Sequence, residues 1–192
     1  MKIGIFGGTF NPPHLGHLVA AEHVCEQLAL AKILFVPAAV PPHKNNPDLA
    51  DGRHRLEMLR YAVQRNKRFE VSDIELRRGG VSYTVDTLRE LSNEHPGDEL
   101  AFLMGMDMLS EFSTWRSPEE ILELAEIVAL TRPDFPMPHL EPPLRRRVTI
   151  CRIPEIGISS SDIRRRVKEG KSIRYMVTPS VEEYIRMHGL YR

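Results

Sequence analysis

The stretch Gly7-Gly8-Thr9-Phe10-Asn11-Pro12-Pro13-His14-Leu15-Gly16-His17 decides how this chain is read. It follows an apolar run, residues 3–6, that predicts a strand, and it leads into residues 18–28, whose spacing predicts a helix. A glycine turn between a first strand and a helix N-terminus is where α/β proteins hold phosphates. The unpaired N–H groups of the first helical turn carry partial positive charge there. Gly7 and Gly8 allow unusual φ and close backbone approach, Pro12 and Pro13 stiffen the turn, and Gly16 leaves room beside the helix start. His14 and His17 add N–H donors, and positive charge when protonated. A plain tight turn with two incidental histidines would use the same glycines. The strand before, the helix after and the His-x-x-His spacing favour the phosphate. A zinc site is disfavoured because no Cys or HExxH motif partners the pair.

Working outward, short apolar runs at residues 33–36, 100–104 and 127–130 predict strands, with a weaker one at 148–153. Helical spacing marks residues 53–63 and 84–91, and residues 69–77 alternate in part and are expected to be extended. Continuous apolar runs fit strands buried on both faces. Their alternation with helices argues an α/β fold, a Rossmann-like doubly wound parallel sheet with a small C-terminal helical part. One nucleotide-binding unit is expected over residues 1–192, with the main sheet in 1–143 and the last strand and C-terminal helices in 144–192. Two proline-rich loops, 37–51 and 133–143, cannot be sheet interior. The last segment, 181–188, reads as a helix capped by Thr178 or Ser180 with Gly189 past its end.

Length and composition bound the function. The 192 residues suffice for one sizeable core, and 26 basic residues balance 26 acidic ones, so no global field calls for nucleic acid. The Arg145–Arg147 cluster reads as a solvated face. Cys25 and Cys151 are too few for a disulfide framework, and Cys25 falls on the apolar stripe of the first helix. No leader pattern and no run of about 20 apolar residues is present, so a cytoplasmic protein with no membrane partner is expected. Whether copies associate into a homo-oligomer is left open.

A second constellation is Ile158-Ser159-Ser160-Ser161-Asp162-Ile163-Arg164. Ser159 with Asp162 three residues on predicts a helix cap. Serine hydroxyls at a helix start, with Arg164 one turn on, also suit a phosphate. The first stretch resembles the GxFxPxHxGH signature of the nucleotidyltransferase superfamily. The second resembles that superfamily's ISSTxxR signature, with Ser161 in place of Thr. Four further stretches resemble the bacterial nicotinate-nucleotide adenylyltransferases: Pro41-Pro42-His43-Lys44, Ser82 to Leu88, Met104-Gly105-Met106-Asp107 with Phe112 and Trp115, and Thr178 to Ile185 with the closing His188-Gly189-Leu190-Tyr191. The resemblance covers essentially the whole chain in order.

It implies ATP and nicotinate mononucleotide as partners, with deamido-NAD and pyrophosphate as products. Gly7, Gly8, Thr9, Phe10, His14, His17, Gly105, Asp107, Arg132, Ser159, Ser160 and Arg164 are the ATP-side candidates, with His14, His17 and Arg164 catalytic. On the acceptor side stand Lys44, Tyr83, Thr84, Met106 and Trp115. A pyridine ring wants an aromatic face, and Trp115 is the single tryptophan; core packing is its other reading. A carboxylate needs donors, which Tyr83 and Thr84 can supply. Asp107 would hold ribose hydroxyls or merely cap a helix, and Arg132 would face the nucleotide or merely water.

A phosphate monoester has a second pKa of about 6, so the acceptor arrives ionised and no general base is required. Mg²⁺ is the expected cofactor, held mainly by ATP phosphates and water, with no protein metal cage. Two other readings remain at this point. One is an adenylyltransferase for nicotinamide mononucleotide or another phosphate acceptor; the other is an ATP-binding sensor without chemistry.

Overall fold

The computed structural model describes residues 1–41, 48–131 and 142–192. Its centre is a six-stranded sheet, every pairing parallel, in the order β3-β2-β1-β4-β5-β6. The strands are β1 (Lys2–Gly8), β2 (Lys32–Pro37), β3 (Phe69–Val71), β4 (Glu99–Gly105), β5 (Glu126–Leu130) and β6 (Val148–Cys151). The helices between and after them are α1 (Leu15–Gln27), α2 (Gly52–Val63), α3 (Ile74–Arg78), α4 (Thr84–Glu94), α5 (Met106–Leu109), α6 (Pro118–Leu124), α7 (Pro142–Arg145), α8 (Ser160–Lys168) and α9 (Pro179–Met187).

Both sheet faces are buried, because alternate residues of each strand point to opposite sides. Ile3, Ile5, Leu34, Val36, Phe102, Met104, Ile127 and Ala129 face one layer, with Leu88 and Leu91 of α4. Ile33, Phe35, Ala101, Leu103, Val128 and Leu130 face the other, with Ala21, Val24 and Cys25 of α1 and Leu59 of α2. A third cluster joins Met58 of α2 to Ile163 of α8 and to Val181 and Ile185 of α9. It docks the C-terminal helices against the sheet's first half. Among the described residues no helix is long and apolar enough to cross a membrane.

The strand order reverses between β1 and β4. In an open parallel sheet the crevice outside the strands' C-terminal ends at that point is the place for a ligand. The segments that leave this crevice are residues 9–14 after β1 and α5 after β4.

Two expectations are corrected. Helix α1 starts at Leu15 rather than at residue 18, because His14 and His17 themselves cap it. Of residues 69–77 only Phe69–Val71 are extended; Ile74–Arg78 form a helix that buries Ile74 and Glu75 and stops at Gly79, φ 70°. Five residues are too few for helical periodicity to show.

Candidate active site

The loop after β1 is built differently from its glycine content. Gly7 and Gly8 are the end of β1, and the left-handed residue is Phe10, φ 48°. Gly8 is favoured by closeness instead: a Cβ there would lie 3.0 Å from the Phe10 ring, which would have to shift. The Phe10 ring is buried and meets His17 edge-on, with centroids 5.0 Å apart, and it also packs on Phe6 and Phe35. The Phe10 ring thus backs His17 from within the core.

The histidines form one unit. The His14 N–H donates to His17 Nδ1 at 3.1 Å, and the two rings stack at 3.7 Å. This fixes the proton of neutral His17 on Nε2. At Gly16 a Cβ would lie 3.0 Å from His14 Nδ1, tight enough to push on that ring.

The second signature closes on the first. Ser159 caps α8 by accepting the Asp162 N–H at 3.1 Å, as the spacing predicts. Ser160 Oγ donates to the Pro12 carbonyl and Arg164 Nη1 to the Asn11 carbonyl, each at 2.8 Å. Arg164 Nε is buried with no hydrogen-bond partner among the described residues.

Sequence reasoning passed over the groups that hold this loop. Asn11 is 2% exposed. Its amide donates to the Asp48 carbonyl at 2.9 Å, and its Oδ1 accepts the Ala50 N–H at 3.1 Å and the Tyr191 hydroxyl at 2.7 Å. Arg55, 1% exposed, donates to the carbonyls of Ala50 and Thr9 at 2.9 Å and of Ala39 at 3.3 Å. Burial lowers its pKa, opposed by Tyr191, Asp51 and Glu75 nearby. A signal for Arg55 was present: it stands three and four residues before Met58 and Leu59, on the buried stripe of α2.

On the acceptor side, Tyr83 is the N-cap of α4 and Thr84 its first residue. Arg116 lies over the Tyr83 ring, 4.8 Å from its centroid. Trp115 is half-buried against Phe112 and Phe102, at 5.5 and 6.1 Å. Met106 is 3% exposed, and its side chain packs in the core. Gly105 caps α5 and Asp107 lies in its first turn, at the end of β4. Beneath Tyr83, buried Glu75 accepts the Thr87 hydroxyl at 2.6 Å, and Ser82 Oγ accepts the Ala39 N–H at 2.9 Å. Burial pushes the Glu75 carboxyl up, and bonds from Ser82 and Thr87 and the charge of Arg78 hold it back. Lys44 and Arg132 lie outside the described residues.

The description of the cytidylyltransferase-like family matches residues 5–166, so the chain belongs to that family, a class of Rossmann-like nucleotidyltransferases. Within it, the chain belongs with the nicotinate-nucleotide adenylyltransferases. It is 50% identical over 192 residues, all of both chains, to a Thermus thermophilus protein named "Probable nicotinate-nucleotide adenylyltransferase". A Desulfitobacterium hafniense protein of the same name is 46% identical over all of this chain and 96% of its own. The solved Plasmodium falciparum nicotinic acid mononucleotide adenylyltransferase complexed with NaAD has the same fold. Its TM-score is 0.79 over 99% of this chain and 97% of its own, at 20% identity.

Proposed function

We propose that this chain transfers the adenylyl group of ATP to nicotinate mononucleotide, giving deamido-NAD and pyrophosphate in NAD biosynthesis. One observation carries the reading: the two phosphate signatures, far apart in sequence, meet at the switch point through the 2.8 Å contacts of Ser160 and Arg164 on residues 11–12. Residues 1–143 then supply the first five strands and both substrate faces, and 144–192 the last strand and the second half of the phosphate clamp.

The acceptor phosphate is already mostly dianionic at neutral pH and attacks the α-phosphorus directly. The protein's task is alignment and stabilisation of charge on the departing pyrophosphate. His17 does this as an Nε2–H donor. Its Nδ1 is committed to the His14 N–H, so protonation there would break the turn. His14, the Ser159 and Ser160 main chain at the α8 N-terminus, and Arg164 Nε supply further donors. Among the described residues no three His, Cys, Asp or Glu side chains gather to hold a metal. Mg²⁺ bound to the triphosphate would take its ligands from phosphate oxygens and water and would neutralise charge there. On this reading Tyr83, Thr84 and Trp115 take the nicotinate ring and carboxylate, and Gly105 and Asp107 the adenylate; Lys44 and Arg132 keep the acceptor-side and ATP-side roles that the resemblance implies, outside the described residues. The reading carries with it a cytoplasmic location and small-molecule rather than nucleic-acid substrates.

The test is pyrophosphate release with ATP, Mg²⁺ and each of three acceptors: nicotinate mononucleotide, nicotinamide mononucleotide and pantetheine phosphate. Release is expected fastest with the first. Preference for another acceptor replaces the substrate, and silence with all three replaces the enzyme by a nucleotide sensor.

A further inference from the structure

The end of the chain returns to the phosphate loop. After α9 the backbone reverses at Gly189, φ 58°, and again at Tyr191, φ 65°. The Leu190 N–H donates to the Ile185 carbonyl at 3.1 Å, and Leu190 and Tyr191 pack on the cluster formed by α2, α8 and α9. From there the Tyr191 hydroxyl reaches Asn11 Oδ1 at 2.7 Å.

Two properties mark this contact as more than packing. An aromatic residue at φ 65° is in a sterically unfavourable region and stays there only when its surroundings hold it. Burial also pushes the phenol well above its ordinary pKa, against the opposing charges of Arg164 and Arg55, so it keeps its proton and acts as a donor. Its acceptor is the residue through which the site is joined. Asn11 takes Tyr191 and Ala50 on Oδ1, gives its amide to Asp48, and receives Arg164 on its own carbonyl. The next residue, Pro12, receives Ser160. Orientation of residue 11 therefore sets where Arg164 and the turn before His14 stand.

We infer that Tyr191 is a positioning residue for adenylyl transfer: its hydroxyl locks Asn11, and through Asn11 the Arg164 guanidinium and the His14–His17 turn, in the arrangement used at the reacting phosphate. The inference rests on the reading that this loop holds the ATP phosphates. A hydroxyl acting at that distance changes turnover more than acceptor binding, because the geometry it fixes matters most when charge develops.

The test is steady-state pyrophosphate release by Tyr191→Phe with ATP, Mg²⁺ and nicotinate mononucleotide, beside Tyr175→Phe as a control at a residue 82% exposed. Expected is a fall in kcat on the order of tenfold with the mononucleotide KM within about twofold of wild type, in a protein that is destabilised by the lost bond but still folded at the assay temperature, since Asn11 Oδ1 keeps the Ala50 N–H. Added to Asn11→Ala, Tyr191→Phe is expected to cost nothing more; should Asn11→Ala not fold, the single variant decides. Near-wild-type kcat in Tyr191→Phe, a fall that only tracks the unfolded fraction, or full additivity with Asn11→Ala overturns the inference. His17→Ala measured alongside separates the two claims. If it is inactive while Tyr191→Phe is normal, the loop still holds ATP and only the positioning role is lost. If both are normal, the assignment of ATP to this loop falls as well.

Discussion

Residues 9–12 are gripped by groups from distant segments, the buried Arg55 and the partly buried Tyr191, Ser160 and Arg164, each donating to a main-chain or amide oxygen. The acceptor side is joined through exposed charges: Arg89 pairs with Asp86 and Glu120, and Arg116 with Asp86 at 3.3 Å while covering Tyr83. Arg89 and Arg116 are 44% and 55% exposed. Exposed pairs of this kind contribute about 0–1 kcal/mol, whereas a buried donor or acceptor stranded by mutation costs about 1–3 kcal/mol. The contrast separates two tasks. On the proposed reading, the half that stabilises developing charge is preorganised, and the half that recognises the acceptor is held by interactions that a ligand can rearrange.

The comparison can be broken at three places. The largest effect is expected from His17→Ala: a fall in kcat on the order of 10²–10³, the scale for one donor at developing charge, with little loss of stability. Single-turnover kinetics measures it, and near-normal turnover would remove the phosphate loop from the chemistry. Next is Trp115→Ala. A rise of up to about tenfold in the mononucleotide KM, with ATP kinetics unchanged, matches the worth of one aromatic stacking contact. A defect confined to ATP would move Trp115 to the other half. The smallest effect concerns Glu75, which lies under the acceptor loop. Its folded pKa is raised by burial, so folding takes up the proton; the contribution is full below the ordinary carboxylate value of 4.5 and is lost as pH rises through the folded value. Glu75→Gln should therefore gain melting temperature relative to wild type as pH rises across about 4 to 8. A gap that shrinks over that range contradicts the assignment.

The sequence made the sheet legible because its strands are buried on both faces and leave continuous apolar runs, as in residues 33–36 and 127–130. The phosphate loop and the α8 cap were legible because capping chemistry is local, fixed by neighbours three residues apart. What escaped is non-local. The bond from Tyr191 to Asn11 spans 180 residues. Arg55 looks like an ordinary helix charge until three segments converge on it. Met106 sits in a motif, yet tertiary packing turns its side chain into the core. Phe10 takes the left-handed angle that the glycines would suggest, because Gly7 and Gly8 are paired in β1 and Gly8 also leaves clearance for the Phe10 ring.

The fan of Arg55 across Thr9, Ala39 and Ala50 has a dynamic consequence. A buried cation cannot release one carbonyl to water without exposing itself, so these stretches do not breathe one at a time. They open together or not at all, as a cooperative block whose opening free energy lies nearer that of global unfolding than that of a fraying loop.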